Sequence, residues 1–305
     1  MIDLIYSDEV AAAQGNGTPI VALESTIITH GMPYPQNLEV ARQVEGTIRQ
    51  GNAAPATIAV LDGKLHIGLG PEQLETLAQA KNVAKLSRAD MAACMASGST
   101  GATTVAATMI SARLAGIEVF ATGGIGGVHR GAELDFDISA DLNELAQTPV
   151  TVVAAGAKAI LDLPKTLEVL ESLGVPVIAY GQDQLPAFWS ARSGLTAPLR
   201  MDSPDQIASA HRMRAALGLP GGQLIANPIP SSDEIPATTL APMITRALDD
   251  AAHHKITGKA VTPYLLQRIY ELTDGKSLEA NIALVLNNAR LGARIAHALG
   301  AMPAD

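Results

Sequence analysis

The chain has few aromatic residues and one cysteine. Five Tyr, three Phe and one Trp make up 3% of its 305 residues, so the core must be built from Ala, Val, Ile and Leu. That scarcity argues against a protein that holds nucleic acid by stacking bases on aromatic platforms. With Cys94 as the single cysteine, no intramolecular disulfide can form and nothing argues for an oxidising compartment, which makes the cytoplasm the expected location. Positive charge is also short: 21 Lys and Arg against 30 Asp and Glu give a net charge of −9. Counterion release from a polyanion needs the opposite balance, so no nucleic-acid partner is expected and an anionic ligand must meet a local cluster of positive groups. No uninterrupted apolar run approaches the roughly 20 residues of a membrane helix. The segment from Met1 to Val10 carries Asp3, Asp8 and Glu9 where a secretory signal would be basic and then apolar. The expected protein is soluble and unanchored, with a small-molecule partner.

What is present is a core-forming composition, 48% hydrophobic and 17% charged, in a chain long enough to bury it. Short β-branched runs alternate with longer segments of helical period, the pattern of an α/β fold. The expected architecture is a three-layer α/β/α sandwich with a mixed central sheet and a helical C-terminal cover, formed by residues 1–305 as one domain, since no Ser/Gly/Pro linker divides the halves. Strands are predicted at Pro19 to Ile28, Thr57 to Leu61, Lys64 to Gly68, Val83 to Leu86, Ile117 to Thr122, Val150 to Ala154, Val175 to Ala179 and Gln223 to Ala226. Asp62-Gly63 between the second and third predicts a tight hairpin and so an antiparallel pair. Pro35 ahead of Leu38, Ala41, Val44 and Ile48, with Gly51 after them, predicts a helix with an apolar stripe. A further helix is predicted from Ala102 to Ala115, and the region from Pro236 onward reads as almost wholly helical.

Four segments can carry chemistry. In Ala22-Leu23-Glu24-Ser25-Thr26 a carboxylate interrupts an apolar strand. It reads either as an acid poised for proton transfer or as a structural ion pair. Ala84-Lys85-Leu86-Ser87-Arg88 sets two cations at a strand end before a helix, which suits a phosphate or is simply a solvated turn. The hydroxyl-rich Ser97 to Val105 segment follows without a Walker lysine pattern. In Thr122-Gly123-Gly124-Ile125-Gly126-Gly127-Val128-His129-Arg130 the glycines would let a ligand approach the backbone. Counting from Gly124, the last glycine of a dinucleotide fingerprint falls on His129, which disfavours a Rossmann cofactor. Asp135, Asp137 and Asp141 behind it are hard oxygen donors suited to Mg²⁺ or Mn²⁺, or a helix-start cluster with no metal. In Ala154-Ala155-Gly156-Ala157-Lys158 a lone lysine stands past a strand end among small residues. Desolvated there, its amine would attack a carbonyl carbon, whereas snorkelling to solvent is the structural alternative. Asn281 and Asn287-Asn288 place amides along the last apolar helix, to hold ligand groups or to cap loops.

With these segments in one chain, the sequence resembles the pseudouridine-5'-phosphate glycosidase family, also known from its indigoidine synthase A-like relatives. The resemblance runs from Ala22-Leu23-Glu24-Ser25-Thr26 through the Thr122 to Arg130 and Ala155-Gly156-Ala157-Lys158 motifs to Asn281-Ile282-Ala283. It implies a lyase-type C-glycosidase that converts pseudouridine 5'-phosphate and water reversibly to uracil and ribose 5-phosphate, in a homotrimer using Mn²⁺. By the family's pattern Lys158 is the nucleophile and Glu24 the proton donor. Lys85, Val105, Ser139, Ala140 and Asp141 match substrate-contacting positions, Asp137 matches the metal position, and His129 and Asn281 match base-side contacts. Two other functions stay open on the residues themselves. One is a Schiff-base aldolase or lyase acting on another sugar phosphate; the other is a non-catalytic sugar-phosphate binding protein.

Overall fold

The computed structural model describes residues 2–302. In chain order the elements are β1 (Leu4–Tyr6), α1 (Asp8–Asn16), β2 (Ile20–Leu23), α2 (Thr26–Thr29), α3 (Gln36–Gln50), β3 (Ala54–Leu61), β4 (Lys64–Ile67), α4 (Pro71–Gln79), β5 (Ala84–Leu86), α5 (Arg88–Ala96), β6 (Gly101–Thr103) and α6 (Val105–Leu114). They continue as β7 (Val119–Ala121), α7 (Ala132–Asp135), α8 (Ala140–Gln147), β8 (Thr151–Ala154), α9 (Leu163–Ser172), β9 (Val177–Tyr180), β10 (Leu199–Met201), α10 (Pro204–Ala216), β11 (Gln223–Ala226), α11 (Ala237–His253), α12 (Val261–Leu272) and α13 (Lys276–Gly300).

The strands join in one mixed sheet ordered β1-β4-β3-β2-β7-β8-β11-β9-β10, with β6 and β5 branching from β3. The long β3 makes the branch possible. Its first half, Ala54 to Thr57, pairs parallel with β2, while Ile58 to Leu61 pairs antiparallel with β4 and, at Ala59 and Val60, with β6. The turn at Asp62 and Gly63 has left-handed backbone at both residues, φ 49° and 76°, which is what a two-residue primed turn requires. The other named pairings are parallel, so the carboxyl ends of β2, β7, β8 and β11 share one edge, the edge where open α/β sheets bind ligands.

Helices cover both faces, as the sandwich reading expects. On one side α3 and α13 pack on β2, β3, β7 and β8, while α6 lies on the other. α13 is the helical cover. Gly292 has Ala121 and Val21 within 3.5 Å of where a Cβ would stand, and Ala289, Ala293 and Ile295 are wholly buried, so small residues let this helix settle close onto the strands.

The structure departs from the sequence expectations in three places. The segment Pro19 to Ile28 is a strand only over Ile20–Leu23, after which Ser25 starts the short α2. An apolar β-branched run has the same appearance in a buried strand and in a short buried helix. Ala102 and Thr103, expected to begin a helix, belong instead to β6, and α6 starts at Val105. The buried Thr103 hydroxyl donates to the Ile58 carbonyl at 2.8 Å, and a Cβ on Gly101 would strike Leu86, so tertiary packing outweighs local helical preference. The three-residue strands β1, β6 and β10 are too short to carry a readable alternation.

Candidate active site

A cavity of about 360 Å³ opens at the carboxyl edge of the sheet. Glu24 is the first residue past β2 and lines this cavity. One carboxylate oxygen accepts a short hydrogen bond from the Thr26 hydroxyl and the other from the Thr122 hydroxyl at the end of β7. The carboxyl group is thus oriented by two neutral donors. Lys158 lies across from it in the loop after β8. Its N–H donates to the Ile125 carbonyl at 3.1 Å, and Ala157 bridges Ile125, so the backbone of this lysine is stitched to the glycine-rich loop. The side chain is half-buried and lines the cavity. Among the described residues it forms no ion pair, which leaves the amine to whatever enters.

One end of the cavity is cationic. Lys85 from β5, Ser87 at the start of α5, and Thr104 and Val105 at the start of α6 converge there. The first-turn amides of a helix lack intrahelical partners and favour an anion. The Thr104 hydroxyl is buried and unpartnered, a group that a ligand oxygen would satisfy. His30 completes this end. Burial, then the nearby Lys85 ammonium, hold its imidazole below the ordinary value, against an opposing hydrogen bond with the Val83 backbone. Arg88, read as a second cation for an anionic ligand, is engaged elsewhere: its guanidinium donates to the buried Glu144 at 2.7 and 3.1 Å.

Of the two readings of the three aspartates, the helix-start cluster is present at Ser139 and Asp141, and the three side chains do not form a common ligand set among the described residues. Asp141 accepts from the Ala106 N–H at 3.0 Å and from the Gly126 N–H at 2.8 Å, clamping α6 to the glycine loop. Asp135 accepts from the Asp137 N–H at 2.9 Å. Ser139 caps α8 by accepting from the Asp141 N–H at 3.2 Å, and Ala140 follows as the first residue of that helix. Among the described residues no group of three His, Cys, Asp or Glu side chains is arranged to hold a metal ion. Asp137 does line the cavity, with one oxygen 4.0 Å from Nδ1 of His129. Burial first, and then Lys158 and Lys85, lower the His129 titration, while Asp137 and Asp135 oppose that shift.

Gly123, Gly124 and Gly126 of the glycine run line the cavity, and the run also receives side chains. A Cβ on Gly124 would stand 2.6 Å from the Phe188 ring, one on Gly127 would stand 2.5 Å from the Thr166 hydroxyl, and one on Gly126 would strike Ser139. Each glycine is a socket for a side chain arriving from another element. Phe188, Leu284 and Asn281 also line the cavity, and the wholly buried Trp189 meets both Phe188 and Asn281. Asn287 and Asn288 cap loops: their side-chain amides donate to the Pro228 carbonyl at 3.0 Å and the Thr122 carbonyl at 2.8 Å.

The cavity therefore brings together Glu24, Lys158, Lys85, Val105, Ser139, Asp141, His129, Asp137 and Asn281. Sequence reasoning missed His30, Thr104 and Phe188. His30 and Thr104 lie within motifs whose neighbours drew attention first, whereas an isolated Phe188 in a loop leaves no local signal.

Residues 9–298 match the family of indigoidine synthase A like proteins. The chain is 74% identical over 298 residues to the pseudouridine-5'-phosphate glycosidase of Roseobacter denitrificans, an alignment covering 98% of this chain and 96% of that protein. It is 70% identical to the protein of the same name from a Jannaschia species, over 98% and 99% of the two chains. Among solved structures, the prealnumycin C-glycosynthase AlnA in complex with ribulose 5-phosphate superimposes with a TM-score of 0.90 at 39% identity, covering 98% of this chain and 97% of that one. An indigoidine synthase A-like protein from Thermotoga maritima does so with a TM-score of 0.89 at 31% identity and the same coverage. The chain belongs to the indigoidine synthase A-like family.

Proposed function

We propose that this protein reversibly cleaves the carbon–carbon glycosidic bond of pseudouridine 5'-phosphate, giving uracil and ribose 5-phosphate through an imine on Lys158. The observation that carries the proposal is one cavity whose walls hold an amine without an ion-pair partner among the described residues, a carboxyl group oriented by two hydroxyls, and a cationic end. The names of the relatives and the sugar phosphate in the AlnA complex support the same substrate class.

Ordinary glycosidases protonate a departing oxygen or nitrogen, which a carbon-linked base does not offer. Opening the sugar removes that obstacle. Glu24 gives its proton to the ring oxygen while the Lys158 nitrogen bonds to the anomeric carbon, and the bond between that carbon and the ring oxygen breaks. The Glu24 carboxylate takes the proton of the new ammonium, whose freed lone pair then forms the imine as the bond to uracil breaks; the electron pair of that bond goes to the uracil carbon, which takes a proton from Glu24. Water adds to the imine, releasing ribose 5-phosphate and restoring the amine. Lys85, Ser139 and the amides at the start of α6 hold the phosphate, and His129 and Asn281 face the base.

The proposal includes Mn²⁺, a homotrimer and a cytoplasmic location. The protein side does not form a closed metal cage: two of the three aspartates are committed to backbone amides, leaving Asp137 as the one carboxylate of the three free for the ion. Bound there with water and substrate oxygens, Mn²⁺ would order negative charge on the substrate, and none of the bond changes above is assigned to it. Uracil release from pseudouridine 5'-phosphate, with borohydride trapping of ribose 5-phosphate on the native protein and not on Lys158→Ala, tests the reading. Trapping of a different sugar phosphate without uracil release would favour the aldolase, and stabilisation by ligand without turnover or adduct would favour the binding protein.

A further inference from the structure

The base end of the cavity carries a polarity that the catalytic groups do not explain. The Trp189 indole Nε1–H donates to Oδ1 of Asn281 at 2.7 Å and to the Ser277 carbonyl at 3.0 Å. An indole nitrogen can only donate, so the atom of Asn281 that faces it must be the carbonyl oxygen. The orientation of the amide is thereby fixed by chemistry, and the group left for the cavity is the NH₂. Trp189 is itself held in place. It is wholly buried, and its ring meets Phe188 edge to face, with centroids 5.0 Å apart at 66°. Phe188 has left-handed backbone, φ 61°, an uncommon conformation for a bulky side chain. The Phe188 N–H donates to the Ala155 carbonyl at 2.9 Å, and its ring occupies the socket at Gly124. Gly124, Phe188 and Trp189 thus form a chain of contacts ending at one amide oxygen.

We infer that Trp189 makes Asn281 a donor-only contact, and that this selects a base presenting a carbonyl oxygen over one presenting an exocyclic amine at the same position. The inference rests on the proposed reading of the cavity and adds its specificity: the accepted leaving group is a planar, uncharged ring with its carbonyl turned to Asn281, and an amino-substituted analogue places donor against donor. A buried amine facing the NH₂ would lose its water without gaining a partner, which is the strong form of discrimination available to a binding site. Trp189 is a positioning residue, acting through Asn281.

The test is calorimetric binding of uracil and cytosine to the protein without ribose 5-phosphate, so that the reversible reaction cannot run during the titration, with borohydride trapping of ribose 5-phosphate in a separate experiment as a readout independent of the base. Wild type should bind uracil about 30-fold or more tighter than cytosine. Trp189→Phe should bring that ratio below about fivefold while the trapped adduct forms as in wild type, because Lys158 and the phosphate end are untouched. Asn281→Asp, which swaps the donor for an acceptor, should weaken uracil and strengthen cytosine relative to it. It serves alone if Trp189→Phe does not fold. Equal binding of the two bases by wild type, or an unchanged ratio in the folded variants, would overturn the inference. Failure of the proposed function has a different signature, namely no trapped adduct and no uracil release with the wild-type protein.

Discussion

The two ends of the central strands carry similar side chains in opposite circumstances. At the carboxyl end Glu24 and Lys158 line a cavity, and the Thr122 hydroxyl donates to Glu24. At the amino end Glu118, Thr151 and Gln223 face α10. There the Arg212 guanidinium donates to both oxygens of Glu118, at 2.5 and 3.0 Å, and His211 sits with Nε2 3.4 Å from Glu118 and Nδ1 2.9 Å from the Thr151 hydroxyl. The Gln223 amide donates to Thr151 at 3.1 Å and to the Ile207 carbonyl at 3.0 Å. The hydrogen bond with His211, and then Arg212, overcome desolvation and hold the Glu118 carboxyl down at about 2. A carboxylate, a hydroxyl and a cation make a structural clamp when they bond to one another. The same types of group, when a cavity separates the cation from the carboxylate, remain available for a ligand.

Substitutions at the two ends should therefore move different observables. The largest expected effect is that of Lys158→Ala, which reduces uracil release to background with little change in Tm; residual turnover close to wild type would place the nucleophile elsewhere. Glu24→Gln should lower kcat by about 10²- to 10⁴-fold with ribose 5-phosphate binding largely kept, as measured by steady-state kinetics and calorimetry. Glu118→Gln at the other end should do the reverse, costing about 2 kcal/mol of stability in urea unfolding while kcat is retained. That figure sits below the full value of a buried ion pair because the side chain is 34% exposed.

Acid sharpens the contrast. Glu118 has its folded value depressed from 4.5 to about 2, so its stabilisation is complete above the unfolded value and is lost as pH falls from about 4.5 towards 2. Wild type should lose stability over that window, and Glu118→Gln should show a shallower slope there. The smallest effect belongs to the cavity: Lys85→Met removes a cation that lowers His30, so the His30 titration followed by NMR should move up towards its ordinary value. Burial, the larger cause, still holds it below.

How much of this was legible in the sequence follows from where each signal resides. The hairpin at Asp62-Gly63 and the helix from Gln36 to Gln50 were readable because their backbone demands are local. Glu24 and Lys158 stood out as charges in apolar surroundings, and both line the cavity. Asp141 also stood out, yet its role as a clamp depends on Ala106 and Gly126, which are 35 and 15 residues away. No spacing rule reveals such a bond. The same holds for Gly124, whose reason for being glycine is Phe188, and for Thr103, whose hydroxyl bonds β3 and so draws a helical-looking segment into the sheet.

The close seat of α13 on β2, β7 and β8 bears on how the protein is made. This helix supplies Asn281, which lines the cavity, and Asn288, which holds the end of β7 where Thr122 meets Glu24. It follows every named strand in the chain, so a ribosome delivers it after the sheet. The sheet can form and bury much of its other face while the nascent chain is still growing, but the Glu24 carboxyl is not held in its orientation until α13 has emerged. The cavity is thus complete only once α13 is in place, and a chain interrupted before Asn281 would present the right motifs around an unfinished cavity.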